Sequence, residues 1–111
     1  MAHAQALHAH LVLGSRFEHI EIAERTLLDL VAQADCNHDE QYWIVTALRE
    51  AIANAVRHGN LEQPERKVRV DYRIEGRTVT IRVEDEETPR HYWLGPTAGG
   101  VVEVTRGCGR G

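Results

Sequence analysis

The chain has few cysteines and no long apolar run, so it lacks the features typical of disulfide frameworks, cysteine-rich zinc sites and membrane spans. Among its 111 residues it contains two cysteines, three prolines and one phenylalanine. Cys36 and Cys108 are far apart and form no C-x-x-C pair, so we expect neither a disulfide framework nor a zinc site. No apolar run approaches the roughly 18 residues of a membrane span. The N-terminus has neither a basic start nor a long apolar centre, which excludes a signal peptide. We therefore expect a cytoplasmic protein that is not bound to a membrane.

An excess of positive charge is also absent. Lysine and arginine number 13 against 17 aspartates and glutamates, which gives a formal charge of −4 and provides no basic field for binding nucleic acid. Apolar residues make up 42% and charged residues 27% of the chain, as in ordinary globular proteins. The length suits one domain, which we expect to occupy residues 1–111.

The first half of the chain predicts one strand and two helices. Residues 9–13 are mostly apolar and precede Gly14-Ser15, which ends a first strand. Apolar residues at helical spacing predict an amphipathic helix over residues 17–33. Asn37 and Glu40 have the spacing of an N-cap and its acidic partner, and they start a second helix that Gly59 ends. The apolar arc of that helix contains Ile44, Val45, Leu48, Ala51, Ile52, Ala55 and Val56.

The second half predicts an antiparallel hairpin. Residues 67–74 and 78–84 alternate between apolar and polar side chains, and Glu75-Gly76 forms the turn between them. Residues 101–105 predict a further short strand before a glycine-rich end. Because both helices have one apolar face, we expect them to cover one face of an antiparallel sheet. The predicted fold is a two-layer α+β sandwich whose other sheet face is solvated.

The second helix carries an acid, an amide and an imidazole at steps of four residues. Glu50, Asn54 and His58 therefore fall on one side stripe of the helix. A carboxylate and an amide oxygen on neighbouring turns can order a water molecule and a hard divalent cation. The same stripe also fits a solvated helix flank. Its position beside the apolar arc, among small alanines, favours the rim of a cavity, and Asn54 is a poor helix former that needs a reason to be there.

The pattern Glu50-Ala-x-x-Asn54-Ala-x-x-His58-Gly59-Asn60 resembles the N-box of the GHKL ATPase superfamily. More narrowly, it is similar to the bacterial anti-sigma factor serine kinases that act in partner switching. The preceding helix and the hairpin that ends at Asp85 follow in the same order as in that family. The resemblance covers about two thirds of the chain and implies a Bergerat-type nucleotide site.

The resemblance also implies roles for individual residues. Glu50 would be the general base that activates the attacking hydroxyl, and Asn54 would hold the magnesium ion that bridges the phosphates of ATP. Arg57 and His58 would lie near the phosphate end. Asp85, at the end of a strand, would bind the adenine amino group. A polar strand terminus is the alternative interpretation of Asp85.

The chain departs from the family pattern after Asp85. The family continues D-x-G-x-G, whereas this chain has Glu87 and Pro89, which add charge and remove conformational freedom. Gly107 and Gly109 resemble the second glycine box, which in the family closes over the phosphates. A glycine-rich tail is the alternative interpretation. We expect residues 88–111 to form an atypical lid or tail, shortened, diverged or disturbed at the level of the gene.

Two functions of different classes follow. The first is an anti-sigma-type kinase that uses ATP and Mg²⁺, binds a sigma factor and phosphorylates an anti-anti-sigma protein of the STAS type. The second is a nucleotide-free protein-binding module, because Glu87 and Pro89 disturb the glycine box. An ATPase domain of the sensor histidine kinase type and a functionless product of a disrupted gene are weaker alternatives. An exposed edge strand would favour a homodimer.

Overall fold

The computed structural model describes residues 6–60, 63, 65–86 and 101–109. The elements follow one another in the order strand, helix, helix, strand, strand, strand. They are β1 (Ala6–Gly14), a short 3₁₀ turn (Phe17–His19), α1 (Ile20–Val31), α2 (His38–Asn54), β2 (Lys67–Glu75), β3 (Thr78–Glu84) and β4 (Val101–Gly107).

The four strands form one antiparallel sheet in the order β1-β2-β3-β4. Strand residues that alternate along the sequence also alternate between the two sheet faces. The register places Leu13 opposite Val68 and Val70 opposite Val83, so the apolar side chains of neighbouring strands share one face. The predicted α+β architecture is therefore confirmed.

Both helices pack on that apolar face and close a single core. α1 contributes Ala23, Leu27 and Val31, which are at most 1% exposed, since apolar residues three and four apart share one face of a helix. α2 contributes the buried side chains of Ile44, Leu48 and Ile52, and the sheet contributes Val68, Val70, Tyr72, Ile74, Val79, Ile81 and Val83.

The opposite face of the sheet is polar. Arg69, Arg73 and Arg82 are exposed on it. Asp71 accepts a 2.6 Å hydrogen bond from Nδ1 of His10, its cross-strand neighbour on β1. This bond holds the pKa of Asp71 below its usual range. The charged residues of β2 and β3 thus lie on the solvated face, as their alternation predicts.

The first strand is longer than the sequence predicts. It runs from Ala6 to Gly14 rather than over residues 9–13. His8 and His10 interrupt the apolar run, but they face the solvated side, while Leu7, Ala9 and Leu11 pack against the core. The predicted first helix, in contrast, is shorter by three residues at its start, because Phe17–His19 form a 3₁₀ turn.

The start of α2 is a capping box, as predicted. The side chain of Asn37 accepts a 2.8 Å hydrogen bond from the Glu40 backbone N–H. The Glu40 carboxylate accepts a 2.8 Å bond from the Asn37 backbone N–H in return. Two backbone donors that a helix start leaves without intrahelical partners are thereby satisfied.

The expectation that the two cysteines stay unpaired is wrong. Cys36 and Cys108 form a disulfide across a sequence separation of 72 residues. Pairing β4 with β3 carries the end of β4 back to the start of α2, and only this tertiary path brings the two sulfur atoms together. Within the part of the chain that the structure describes, no helix is long and apolar enough to cross a membrane.

A hydrogen bond from Tyr72 joins the sheet to α1, and a substitution at this residue tests it. Its side chain is fully buried, and its hydroxyl donates a 2.8 Å hydrogen bond to the Ala23 carbonyl. Burial raises the pKa of Tyr72, so the hydroxyl remains a donor across the ordinary pH range. We expect Tyr72→Phe to lower the free energy of unfolding by roughly 1–2 kcal/mol in urea denaturation.

Tyr42 offers the matched control for this substitution. It is 75% exposed on α2, so Tyr42→Phe should leave the free energy of unfolding within about 0.5 kcal/mol of the parent value. Equal losses in the two variants would contradict the structural role of the buried hydroxyl.

Candidate functional site

The C-terminal end of α2 changes its helical geometry. After Asn54 the chain widens into a π-helical turn over Ala55–Gly59. The backbone N–H of Asn60 donates a 2.7 Å hydrogen bond to the carbonyl of Ala55, five residues earlier. Such turns occur often at functional sites, because they redirect the side chains that follow them. Arg57 and His58 lie in this turn, and both are exposed.

Asn60 is fully buried and connects this helix end to three strands. Its side-chain N–H₂ group donates to the Ser15 hydroxyl at 2.6 Å and to the Lys67 carbonyl at 2.8 Å. Its side-chain oxygen accepts a 2.8 Å bond from the Glu86 backbone N–H. Every donor of the amide is used, as burial of an amide requires. The end of α2 is therefore fixed to the ends of β1 and β3 and to the start of β2.

A second set of hydrogen bonds supports this junction. The Ser15 hydroxyl donates to the Arg66 carbonyl at 2.9 Å, and the Glu86 carboxylate accepts a 3.1 Å bond from the Lys67 backbone N–H. Glu86 is thus held at two points, through its backbone and its side chain. Asp85, the preceding residue, is half-buried and is consequently positioned at the same end of α2 as His58.

Glu50 and Asn54 are exposed on α2, and His58 is exposed in the π turn that follows it. The stripe borders the buried arc of the helix, since Ala51 and Ala55 beside it are only 7% and 6% exposed. Glu50 and Asn54 lie one turn apart and present a carboxylate and an amide oxygen to solvent. These are the donor types that Mg²⁺ prefers, and a dissolved ligand can reach them.

Arg57 has a contact that the sequence does not reveal. Its guanidinium lies over the ring of Phe17, 5.4 Å from the ring centre. A cation over an aromatic face is attracted by the ring, which restrains the arginine at the start of the 3₁₀ turn. The contact keeps a positive charge near the end of the stripe.

Gly107 and Gly109 lie at the other end of α2. The backbone N–H of Gly109 donates a 3.2 Å hydrogen bond to Glu40 in the first helical turn. Glu40 precedes Asn54 by 14 residues, or about 21 Å along the helix axis at 1.5 Å per residue. The structure therefore does not bring these glycines together with the stripe that they were predicted to cover. The disulfide at Cys108 is the physical reason, because it holds this segment at the start of α2.

Sequence reasoning missed the residues that hold the site together. The sequence predicts Asn60 only as the end of the N-box pattern and Ser15 only as the end of the first strand, and it predicts no hydrogen bond between them. No local signal marks the burial of Asn60, because an asparagine directly after a helix-ending glycine is typical of an exposed turn. Glu87 and Pro89, on which the doubt about the glycine box rests, lie outside the described residues.

Asn60 and Asn54 allow a matched test of this arrangement. Asn60→Ala removes three hydrogen bonds and leaves a buried serine and two backbone groups without their partner, so we expect a loss of about 2–4 kcal/mol in the free energy of unfolding. Asn54→Ala removes an exposed amide from the same helix and should change stability by at most about 0.6 kcal/mol. Thermal and urea denaturation of both variants measure the difference. Similar stabilities for the two variants would contradict the role of Asn60.

Comparison with known proteins identifies the family. A model of the histidine kinase-like ATPase domain matches residues 13–111. An anti-sigma F factor of Geobacillus stearothermophilus is 36% identical over 77 residues, which cover 69% of this chain and 53% of that protein. The anti-sigma F factor of Bacillus subtilis (strain 168) is 32% identical over 77 residues, with the same coverage.

A third relative, the anti-sigma F factor of Anoxybacillus flavithermus, is 34% identical over 76 residues, or 68% of this chain and 52% of that protein. The chain thus spans about half the length of the curated relatives it matches. The resemblance to GHKL ATPases that the N-box pattern indicates is confirmed. Since the family model covers nearly the whole chain, the protein belongs to the histidine kinase-like ATPase domain family.

Proposed function

We propose that the protein binds Mg-ATP at the C-terminal half of α2 and acts as an anti-sigma-type serine kinase that regulates transcription by partner switching. One observation carries the proposal. Glu50 and Asn54 are exposed one turn apart on α2, His58 is exposed in the π turn that follows, and Asn60 holds Glu86, the residue after Asp85, at that end of the helix. Membership of the ATPase family and similarity to anti-sigma F factors support it.

Asn54 is the residue that fits a magnesium ion. Its amide oxygen is a hard ligand on an exposed helix face, one turn from the Glu50 carboxylate. When bound, the ion would offset the negative charge of the phosphates. Arg57 and His58 follow in the π turn and add positive or hydrogen-bonding groups at the phosphate end.

Glu50 and Asp85 are assigned the two remaining roles. Glu50 is exposed, so a serine hydroxyl of a protein substrate can reach its carboxylate and transfer a proton to it. Asp85 accepts a hydrogen bond from the adenine amino group, a task that requires a fixed carboxylate. The bonds that hold Glu86 to Asn60 and Lys67 provide that rigidity.

The proposed partners are a sigma factor and a STAS-type anti-anti-sigma protein. Similarity to anti-sigma F factors supports both. Large apolar side chains on the outer surfaces of the helices can contact such proteins, and they include Ile22, Leu28, Tyr42 and Trp43. A homodimer is part of the proposal as well, because β1 lies at an edge of the sheet.

Nucleotide binding is tested by calorimetry with Mg-ATP. We expect Asn54→Ala to weaken binding by at least about tenfold, equivalent to 1.4 kcal/mol, because it removes the metal ligand. Thr46→Ala is the matched control, since Thr46 lies two turns earlier on the same exposed stripe and should leave the affinity unchanged. Absence of both heat and thermal shift with the parent protein at millimolar Mg-ATP would overturn the nucleotide site and favour a nucleotide-free binding module.

Phosphoryl transfer is tested with radiolabelled ATP and a STAS-type anti-anti-sigma protein. Glu50→Gln should lower the transfer rate by about 10²-fold or more, because the amide cannot accept the hydroxyl proton. The affinity for Mg-ATP should stay within about threefold of the parent value, since the base acts in the transition state. Glu21→Gln, on an exposed position of α1, is the control. A Glu50→Gln variant as fast as the parent would show that Glu50 is not the base.

A further inference from the structure

β4 lies at an edge of the sheet, and its side chains are less buried than those of its neighbour β3. Every residue of β4 is exposed or only half-buried. Its inward side chains include Val102 and Val104, whereas Val79, Ile81 and Val83 of the neighbouring β3 are at most 2% exposed. Apolar burial therefore contributes less to docking β4 than to docking β3.

The C-terminal end of β4 is instead fastened by a covalent bond. Cys108 directly follows the strand and is joined to Cys36 before the start of α2. The Cys108 backbone N–H donates to the Arg77 carbonyl at 2.8 Å, which adds one hydrogen bond at the same point. Both cysteines are buried, at 8% and 4% exposure. The disulfide is thus the strongest link between β4 and the helical layer.

We propose that Cys36 and Cys108 form a reversible redox latch for β4. In the oxidised protein the disulfide holds the strand end against α2. A dithiol reductant transfers two electrons and two protons to the pair, which yields two cysteine thiols and the cyclic disulfide of the reductant. The reduced protein then retains β4 through its pairing with β3, its partly buried side chains, the Gly109–Glu40 hydrogen bond and the contact of the Arg106 guanidinium with the Trp43 ring.

The position of Cys36 favours this exchange. It directly precedes Asn37, the N-cap of α2, where the helix carries a partial positive charge. That charge stabilises a thiolate, and a stabilised thiolate leaves more readily in thiol–disulfide exchange. The Glu40 carboxylate, whose oxygen lies within 4.8 Å of both sulfur atoms, acts in the opposite direction. Opening at the edge strand gives a reductant its route to the buried sulfur atoms.

The redox state of the latch also affects the candidate site, because β4 pairs with the strand that precedes Asp85. β4 pairs with the end of β3, where Glu84 lies opposite Val101 and Val83 opposite Val102. Asp85 follows Glu84 directly. Release of β4 therefore removes the hydrogen-bonded neighbour of β3, the strand that directly precedes Asp85. This last step rests on the proposed function, whereas the release of β4 does not.

Hydrogen exchange with mass spectrometry on the full chain tests the latch. The oxidised protein is compared with protein reduced by dithiothreitol. EDTA is present so that no metal ion replaces the disulfide as a link, since the ligand atoms of Cys36, Glu40 and Cys108 lie within 4.8 Å of one another. We expect the amides of β4 to exchange about tenfold faster after reduction, while those of β2 change by less than about twofold. Unchanged exchange in β4, or equal acceleration in β2, would overturn the proposal.

A double variant separates the latch from other effects of the reductant. Cys36→Ser with Cys108→Ser should exchange like the reduced parent and should not respond to dithiothreitol. Restoring the disulfide of the reduced parent with oxidised glutathione should return the slow exchange of β4. A double variant that keeps the slow exchange of the oxidised protein would show that the disulfide does not hold the strand. Mg-ATP calorimetry on both redox states reports the effect on Asp85 separately, so its failure leaves the exchange result intact.

Discussion

The buried amide of Asn60 is the interaction on which the geometry of the site depends. An amide that loses water must recover its hydrogen bonds inside the protein, and Asn60 does so with Ser15 directly after β1, Lys67 of β2 and Glu86 two residues after β3. The three partners come from segments that are distant in sequence. One side chain therefore joins the residue after the π turn to Ser15, Lys67 and Glu86. This junction holds the segment that contains Asp85 beside the helix end that carries the exposed stripe.

α2 connects two regions of different chemistry. Its C-terminal end carries the exposed stripe and the Asn60 junction, and its N-terminal end carries the capping box and the disulfide. The buried arc between them packs on the sheet and keeps both ends in a fixed relation. Glu50 and Asn54 lie beside this arc and are exposed to solvent. Asn54, a poor helix former, is the last residue of α2 and directly precedes the π turn.

Local patterns predicted most of the fold. The helices followed from apolar spacing, and β2 and β3 from alternation, because each pattern reflects which side of an element is buried. The capping box at Asn37 and Glu40 was predicted because it involves neighbouring residues only. The full length of β1 was not predicted, since His8 and His10 break the apolar run while facing solvent.

Features that depend on tertiary contacts could not be predicted from the sequence. Cys36 and Cys108 pair only because β4 returns along β3, and nothing local signals that path. The placement of Gly109 beside Glu40 follows from the same path. The burial of Asn60 was hidden for a related reason, because an asparagine after a glycine usually indicates an exposed turn. The stripe itself was predicted from its spacing, and the roles of its residues stay predictions.

An NMR titration with Mg-ATP tests the central claim most directly. The nitrogen–proton spectrum of the full chain reports on each backbone amide separately. Binding at the proposed site should shift the resonances of residues 50–60 and of Asp85 and Glu86, while those on the solvated sheet face, such as Arg73, stay in place. Shifts confined to the sheet face, or none at saturating nucleotide, would contradict it.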